Sequence, residues 1–102
     1  MKVKWTGTAI GDVKAIKTYI SRDSPAYGRR FAQRIVDAAQ SLDMLPLRGR
    51  PVPEANNENI RELLFGNYRI MYRIETSRVL IMTVIHGARD LSSMEPKPWD
   101  VV

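Results

Sequence analysis

The chain has 102 residues, 44% of them hydrophobic and 26% charged, a balance typical of one globular domain rather than a disordered or fibrous protein. It contains no cysteine and one histidine, which excludes disulfides, thiolate catalysis and zinc sites built from these residues, so we expect no metal and no cofactor. Sixteen Lys and Arg against eleven Asp and Glu give a net charge of +5, which favours an anionic partner such as nucleic acid or an acidic protein.

The N-terminal residues give no sign of export. The start Lys2-Val3-Lys4-Trp5 is basic but lacks the apolar core of a secretory signal, and no apolar run in the chain is long enough to cross a bilayer. We therefore expect a single cytoplasmic domain over residues 1–102 without membrane contact, divided into a core at 1–91 and a tail at 92–102.

A short strand at residues 3–6 and a first helix from about Ala9 to Arg22 are predicted at the start of the chain. Thr8 can cap this helix, and its buried face is marked by apolar residues three and four positions apart, namely Val13, Ile16 and Ile20.

A second helix is predicted immediately after the first. Ser24-Pro25 provides a cap and a proline suited to the first helical position, and the helix ends at Pro46. Its apolar stripe repeats at four, three, four and three residues through Phe31, Ile35, Ala38, Leu42 and Leu45. The short connection predicts an antiparallel helical hairpin whose shared apolar face needs a sheet to cover it.

Residues 46–59 have no helical or strand period and include three prolines, which predicts an ordered loop that carries Arg48 and Arg50 toward one edge of the sheet. Residues 60–91 are rich in β-branched and aromatic residues and are divided by two turn signals, Gly66-Asn67 and Thr76-Ser77. This pattern predicts three antiparallel strands, a meander. After Leu91 the tail lacks a period, and we expect Trp99 to pack back onto the body.

A two-residue turn at Thr76-Ser77 fixes the predicted pairing of the last two strands. It places Glu75 opposite Arg78, Arg73 opposite Leu80, Met71 opposite Met82 and Arg69 opposite Val84. One face, toward the helices, then carries Tyr68, Ile70, Tyr72, Ile74, Val79, Ile81, Thr83 and Ile85. The other carries Arg69, Met71, Arg73, Leu80, Met82, Val84 and His86.

The preceding hairpin can be built in two ways. A two-residue loop at Gly66-Asn67 turns Arg61 toward the helices, where an unpaired guanidinium is costly. A three-residue loop or a glycine bulge instead brings Arg61 and Leu63 onto the face of Arg69. We favour the bulged form. The predicted fold is thus α+β: an N-terminal strand, an antiparallel helical hairpin and a three-stranded antiparallel meander in one sheet with an open basic face.

The open face is the candidate site. It carries Arg61, Arg69, Arg73 and Arg89 as a basic binding face, with His86 near the end of the last strand. In a phosphate-binding cleft, arginines can hold a nucleic-acid backbone or stabilise charge on phosphorus, and a histidine can act as acid or base. The alternative is that the arginines are solvated or paired with Glu62 and Glu75, and that His86 is structural.

Several segments together resemble the RelE/ParE superfamily of toxins from type II toxin–antitoxin modules. They are Ser24-Pro25, Phe31 and Arg34-Ile35, then Gly49-Arg50-Pro51-Val52-Pro53-Glu54, Ile60-Arg61-Glu62-Leu63, Gly66 to Ile74, and Val84-Ile85-His86-Gly87-Ala88-Arg89. The resemblance covers roughly residues 3–91, and the family fold agrees with the elements predicted from periodicity. It implies a toxin neutralised by a cognate antitoxin, with operator DNA contacted only through the antitoxin.

Two mechanisms follow from the resemblance. RelE-like members cleave mRNA on the ribosome, and their pattern carries over to Arg61, Arg69 and Arg89 as catalytic positions, with His86 in place of the tyrosine that this chain lacks after Arg89. ParE-like members poison DNA gyrase without a nuclease site. The long hairpin, the Gly-Arg-Pro-Val-Pro-Glu loop and the His-Gly-Ala-Arg ending favour the ParE side. A degenerate toxin or a DNA-binding partner with neither activity is the third hypothesis.

Overall fold

Two helices and five strands follow one another along residues 1–100, the part of the chain that the computed structural model describes. The strands are β1 (Lys2–Trp5), β2 (Arg50–Pro51), β3 (Ile60–Phe65), β4 (Tyr68–Ile74) and β5 (Arg78–His86), and the helices are α1 (Gly7–Ser21) and α2 (Pro25–Gln40). Short 3-10 turns occupy Ser41–Asp43 and Pro98–Asp100. The predicted α+β order of strand, helical hairpin and meander is confirmed, while the last two residues of the predicted tail lie outside the described part.

All five strands form one sheet in the order β1-β5-β4-β3-β2. β1 runs parallel to β5, and the other neighbours are antiparallel. β2 was not predicted, because a two-residue strand inside a proline-rich loop has no readable period. Pro51 lacks the N–H that a ladder needs, which suits a short strand at the sheet edge. No helix within residues 1–100 has the length and apolar content needed to cross a membrane.

Both helices begin at a capped residue. Thr6, not the predicted Thr8, caps α1: its hydroxyl accepts a hydrogen bond from the N–H of Ala9 at 3.0 Å and donates one to the carbonyl of Met82 at 2.8 Å. The cap thus ties the start of α1 to β5. Ser24 caps α2 as predicted, accepting from the N–H of Tyr27 at 3.2 Å, with Pro25 at the first helical position.

The helices cover one face of the sheet. Buried residues of α1, α2 and the strands form this core: Ala9, Val13, Ile16, Ala32, Ile35, Ala39, Leu42, Ile70, Tyr72, Val79, Ile81 and Val84. α2 ends at Gln40, and Leu45, predicted in its buried stripe, is 60% exposed. The prediction for Leu45 was wrong because the 3-10 turn at Ser41–Asp43 rotates the chain out of the helical period.

The opposite face of the sheet is not open. A second core joins Val52 of the proline-rich loop (residues 46–59) and Leu91, the residue before the tail, to buried strand residues, namely Ile60, Met71, Leu80, Met82 and Ile85. Ala55, Met94 and Trp99 pack against it, which confirms the predicted return of Trp99. The predicted open face was wrong because the central strand is apolar on both sides, and burying that surface draws the loop and the tail over it.

The first hairpin of the meander has a two-residue turn. Phe65 pairs with Tyr68, and Gly66 takes a φ of +55°, the conformation that such turns require of a glycine. Arg61 therefore lies opposite Tyr72, and the bulged form favoured from the sequence was wrong. The guanidinium of Arg61 tolerates this position because its Nη1 donates to the carbonyl of Gly49 at 2.8 Å.

The second hairpin contains a bulge that the sequence did not reveal. Its register is as predicted near the turn, where Arg73 pairs with Leu80, but it shifts between Met71 and Tyr72. Met71 then pairs with Thr83 and Arg69 with Ile85, so the predicted pairs of Met71 with Met82 and Arg69 with Val84 were wrong.

Asp12 of α1 holds this bulge. Its Oδ2 accepts hydrogen bonds from the hydroxyl of Thr83 at 2.5 Å and from the N–H of Val84 at 3.0 Å. Beyond the bulge the alternation of β5 is reversed, so Val84 joins the helix-side core and Ile85 the second core. His86 consequently pairs with Tyr68 and, contrary to the prediction, does not lie on the same face of the sheet as Arg69.

Candidate functional site

Arg69, the central residue of the predicted basic face, is buried in an ion-pair network. Its Nε lies 2.5 Å from Oε1 of Glu62, and its Nη2 lies 2.9 Å from Oε1 of Glu54. The Glu62 side chain is fully buried, and its second oxygen accepts from Nε of Arg50 at 2.7 Å. The hydrogen bond from Arg69 holds the pKa of Glu54 below its ordinary value. Two carboxylates therefore already balance the charge of Arg69.

Arg73 is also paired. Its Nη2 lies 2.8 Å from Oε2 of Glu75, and Oε1 of the same carboxylate accepts from Arg78. These two contacts, that of Arg78 first, lower the pKa of Glu75. The pairing alternative from the sequence thus describes both Arg69 and Arg73.

Arg61 belongs to a buried polar cluster with Gly49 and Tyr72. The Tyr72 hydroxyl donates to the carbonyl of Pro46 at 2.7 Å and accepts from the N–H of Gly49 at 2.9 Å, while Arg61 donates to the Gly49 carbonyl. A Cβ at Gly49 would lie 2.5 Å from the carbonyl oxygen of Glu62, so only glycine fits there. Arg61 anchors the proline-rich loop to β3, and its Nε is buried without a partner among residues 1–100.

His86 and Arg89 are the two predicted site residues that remain accessible. Nδ1 of His86 accepts a hydrogen bond from the N–H of Ala88 at 3.1 Å, which leaves Nε2 to carry the proton of the neutral ring. The ring meets Tyr68 edge-on, with centroids 5.5 Å apart. Arg89 forms no ion pair with any residue in the described part of the chain.

His86, Tyr68 and Asn67 separate two surface depressions. One, of about 490 Å³, extends toward the second core and is lined by Arg50, Glu54, Leu64 and Arg69 among others. The other, of about 550 Å³, extends toward α1 and is lined by Ala15, Ile16 and Tyr19. The structure thus brings together His86 and Arg69 but not Arg61, Arg73 or Arg89. Tyr68, assigned to the core from the sequence, is half-buried and contributes to both depressions.

The helical hairpin carries a group of six basic residues outside the predicted basic face. Lys14, Lys17, Arg22, Arg29, Arg30 and Arg34 are all exposed. None of the six forms an ion pair within residues 1–100. None of these six residues was predicted from the sequence to belong to a functional site. The charge balance of the hairpin could have indicated them, because residues 7–40 hold six basic residues against three acidic ones, Asp12, Asp23 and Asp37.

An apolar groove lies beside these charges. It has a volume of about 350 Å³ and is lined by Trp5, Ile10, Val13, Lys14 and Val36, at the junction of β1, α1 and α2. Ile10 and Val36 are 44% and 37% exposed, which is high for aliphatic residues that share one groove. The groove and the basic hairpin surface can each accept a partner.

Comparison with known proteins gives a consistent result. The family described as "ParE toxin of type II toxin-antitoxin system, parDE" matches residues 3–91. A relative named Toxin RelE2, from Caulobacter vibrioides, is 37% identical over 89 residues, which are 86% of this chain and 97% of the relative.

Solved structures agree with this match. A chain of the toxin–antitoxin complex RelBE2 from Mycobacterium tuberculosis superposes with a TM-score of 0.61 at 27% identity, covering 83% of this chain and 95% of that one. A chain of the chromosomal ParDE system from P. aeruginosa superposes with a TM-score of 0.71 at 22% identity, covering 84% and 95%, and shares the fold.

Proposed function

This chain belongs to the ParE toxin family of type II toxin–antitoxin systems, and from that premise we propose that it inhibits growth by targeting DNA gyrase, as an interaction protein without chemistry of its own. The observation that carries the proposal is the burial of Arg69 between Glu54 and Glu62. The RelE-like pattern matches a catalytic arginine to Arg69, and an arginine that stabilises charge on phosphorus has to be free to approach it. Here that charge is already balanced by carboxylates.

The second candidate is a RelE-like, ribosome-dependent mRNA endoribonuclease. One observation favours it: His86 and Tyr68 lie together at an exposed strand end, where an imidazole could move a proton. In this reading Arg61, Arg69, Arg89 and His86 are the catalytic residues. Against it, Arg61 is tied to the Gly49 carbonyl and Arg73 to Glu75. Within residues 1–100, Arg89 is the arginine of the predicted face whose side chain forms neither a hydrogen bond nor an ion pair.

A cognate antitoxin neutralises the toxin in both readings. An acidic and apolar segment of the antitoxin fits the groove between Trp5, Ile10 and Val36, because Lys14 at its rim supplies charge complementarity. The second core supports this choice, since the loop and the tail of the chain itself already cover the other sheet face. Operator DNA is then contacted through the antitoxin.

The decisive experiment measures gyrase directly. Purified full-length toxin is added to gyrase and relaxed plasmid, and we expect loss of supercoiling together with linear DNA that depends on gyrase. Toxin premixed with the cognate antitoxin is the control and should restore supercoiling. Normal supercoiling in the presence of free toxin would overturn the proposal.

The two candidates are separated by His86→Ala. If the protein poisons gyrase, this variant remains toxic on induction. A general acid or base contributes about 10²–10⁴-fold to a reaction, so a nuclease that uses His86 would lose its toxicity. Mapping mRNA ends on ribosomes after induction completes the test, since A-site cuts by the wild type indicate the nuclease. Normal growth on induction of the wild type would contradict both candidates and indicate a chain without toxic activity.

A further inference from the structure

The six basic residues of the helical hairpin all lack an ion pair within residues 1–100. Every ion pair within residues 1–100 lies on the strands, the turns beside them, the proline-rich loop or the tail. Of the hairpin's three acidic side chains, Asp12 is bonded to β5, Asp37 accepts a hydrogen bond from Gln33 at 2.9 Å and Asp23 is exposed, and none forms an ion pair within residues 1–100. We call the six unpaired residues the hairpin basic face: Lys14, Lys17, Arg22, Arg29, Arg30 and Arg34.

The α1 part of this face has a defined shape. Lys14, Lys17 and Arg22 line one shallow depression of about 560 Å³, together with the hydroxyl residues Thr18 and Ser21. At a rise of 1.5 Å per residue, Lys14 and Arg22 are separated by roughly 12 Å along the helix axis. Phosphates of one DNA strand recur about every 3.4 Å along the duplex axis, so the three cations cover about three or four of them.

Two tyrosines accompany the arginines of this face. The guanidinium of Arg22 lies 5.7 Å from the centroid of the Tyr19 ring, and that of Arg30 lies 5.9 Å from the centroid of the Tyr27 ring. These cation–π contacts hold the two guanidiniums near the surface without neutralising their charge. The face is therefore partly organised before any partner binds.

The composition of the depression favours a phosphate backbone over a protein. Lysine is depleted in the cores of protein interfaces, whereas Lys, Arg and small hydroxyl side chains are the usual contacts to phosphate oxygens. Exposed aliphatic residues, which a protein partner would bury, are absent from the lining of this depression and occur in the neighbouring groove. The two surfaces meet at Lys14, which lines both.

We propose that the hairpin basic face binds the phosphodiester backbone of a nucleic-acid duplex, without reading its sequence. This contact is separate from operator recognition, and it does not depend on which enzyme or particle the toxin attacks. Since Lys14 belongs to both surfaces, an antitoxin segment in the apolar groove would reduce access to the duplex.

The test uses the full-length chain and fluorescence anisotropy with a short DNA duplex and an RNA duplex of equal length. We expect a Kd of about 1–100 μM at physiological salt and tighter binding as the salt is lowered. The variant Lys14→Gln/Lys17→Gln/Arg22→Gln removes three cations from the face. It should lower the slope of log K against log salt by about 0.9 per lost contact, or roughly 2.7 in total.

The matched control removes the same net charge elsewhere. Lys2→Gln/Lys4→Gln/Arg48→Gln alters three exposed residues outside the hairpin, and its salt slope should stay near that of the wild type. Circular dichroism checks that both triple variants are folded. Binding of either duplex by the wild type, lost in the hairpin variant alone, supports the proposal.

Three results would overturn it. The first is no binding of either duplex, even at low salt. The second is an equal loss of binding in both triple variants, which would indicate an effect of net charge alone. The third is a hairpin variant that keeps the duplex but loses the antitoxin, which would assign the face to a protein. Gyrase is not present in any of these binding experiments. Failure here therefore leaves the gyrase proposal untouched, and the supercoiling experiment can fail while duplex binding is observed.

Discussion

Arg69 and Glu62 form an ion pair on the sheet face that the proline-rich loop covers, with Nη2 of Arg69 2.5 Å from Oε1 of Glu62. The Arg69 side chain is 9% exposed and that of Glu62 is fully buried. Removing one partner from such a pair leaves a buried charge without compensation, whereas an exposed pair contributes little. Breaking this buried pair should therefore lower the stability of the protein more than breaking an exposed pair.

Glu62→Ala should destabilise the protein by about 3 kcal/mol, the lower end of the range for a broken buried pair, because Arg69 keeps its contact with Glu54. Glu75→Ala is the matched control: it also frees two arginines, but its own side chain and those arginines are partly exposed, and the loss should stay below about 1 kcal/mol. Urea unfolding monitored by circular dichroism measures both. Equal losses would show that the network is screened by solvent.

Local sequence signals predicted β1, both helices and the three strands of the meander, but not β2. Ser24-Pro25 marked the start of α2, two turn signals separated the strands of the meander, and apolar spacing identified the buried faces of both helices. Each of these signals depends on residues within a few positions of one another. The same reasoning identified the basic character of the chain.

The features that were not predicted from the sequence depend on contacts between residues far apart in the chain. The bulge in β5 is bonded to Asp12, which lies 71 residues before Thr83, and no pattern within β5 indicates it. Because the alternation along β5 was assumed to be unbroken, His86 was predicted on the wrong face of the sheet. The pairing of Arg69 with Glu62 follows from strand register together with side-chain direction, and a proline-rich loop gives no sign that its Val52 is a core residue.

Two glycines provide a matched test of local packing. A Cβ at Gly49 would lie 2.5 Å from the Glu62 carbonyl oxygen and 2.6 Å from the Tyr72 hydroxyl, so Gly49→Ala should cost about 1–3 kcal/mol through displaced backbone. Gly11 lies inside α1 with nothing within 4 Å of the added atom. Gly11→Ala should therefore stabilise the protein by about 0.5–1 kcal/mol, because alanine is the better helix former. In thermal unfolding, Gly49→Ala should have a lower Tm than the wild type and Gly11→Ala a higher one.

Asp12→Ala should release the bulge in β5. The change leaves the Thr83 hydroxyl and the Val84 N–H without their acceptor, at a cost of about 1–3 kcal/mol. The His86 ring should also shift relative to Tyr68, which is visible as a change in its NMR chemical shifts. Asp37→Ala, on the exposed side of α2, is the control and should alter stability by less than about 0.5 kcal/mol. An unchanged His86 spectrum in Asp12→Ala would show that the bulge is intrinsic to the strand.

Stability should decrease in acid through Glu54 and Glu75. Hydrogen bonds from Arg69 and from Arg78 and Arg73 lower the pKa of these two carboxyls in the folded state below the ordinary value of 4.5. The unfolded chain therefore binds more protons than the folded chain, so the free energy of unfolding rises with pH in this range. The stabilisation that the two carboxyls provide is lost as the pH falls below 4.5. Since both groups are partly exposed, the contribution is about 1 kcal/mol or less.

The double variant Glu54→Gln/Glu75→Gln isolates this effect. It should be less stable than the wild type at neutral pH, and the difference should narrow as the pH is lowered. Denaturant unfolding repeated across the acid range gives the slope for both proteins. If the free energy of unfolding of both proteins fell in parallel with pH, other carboxyls would cause the loss of stability in acid.

The apolar groove predicts where the antitoxin binds. Ile10→Asp and Val36→Asp each place a carboxylate in a groove that an acidic segment would occupy, so desolvation and like-charge repulsion both oppose binding. Each change should weaken the complex at least about tenfold, equivalent to 1.4 kcal/mol, in titration calorimetry with the cognate antitoxin. Met44→Asp is the matched control, because Met44 is 82% exposed and does not line the groove. An equal loss in Met44→Asp would indicate that the added charge alone weakens binding, and full affinity in both groove variants would exclude this surface from the interface.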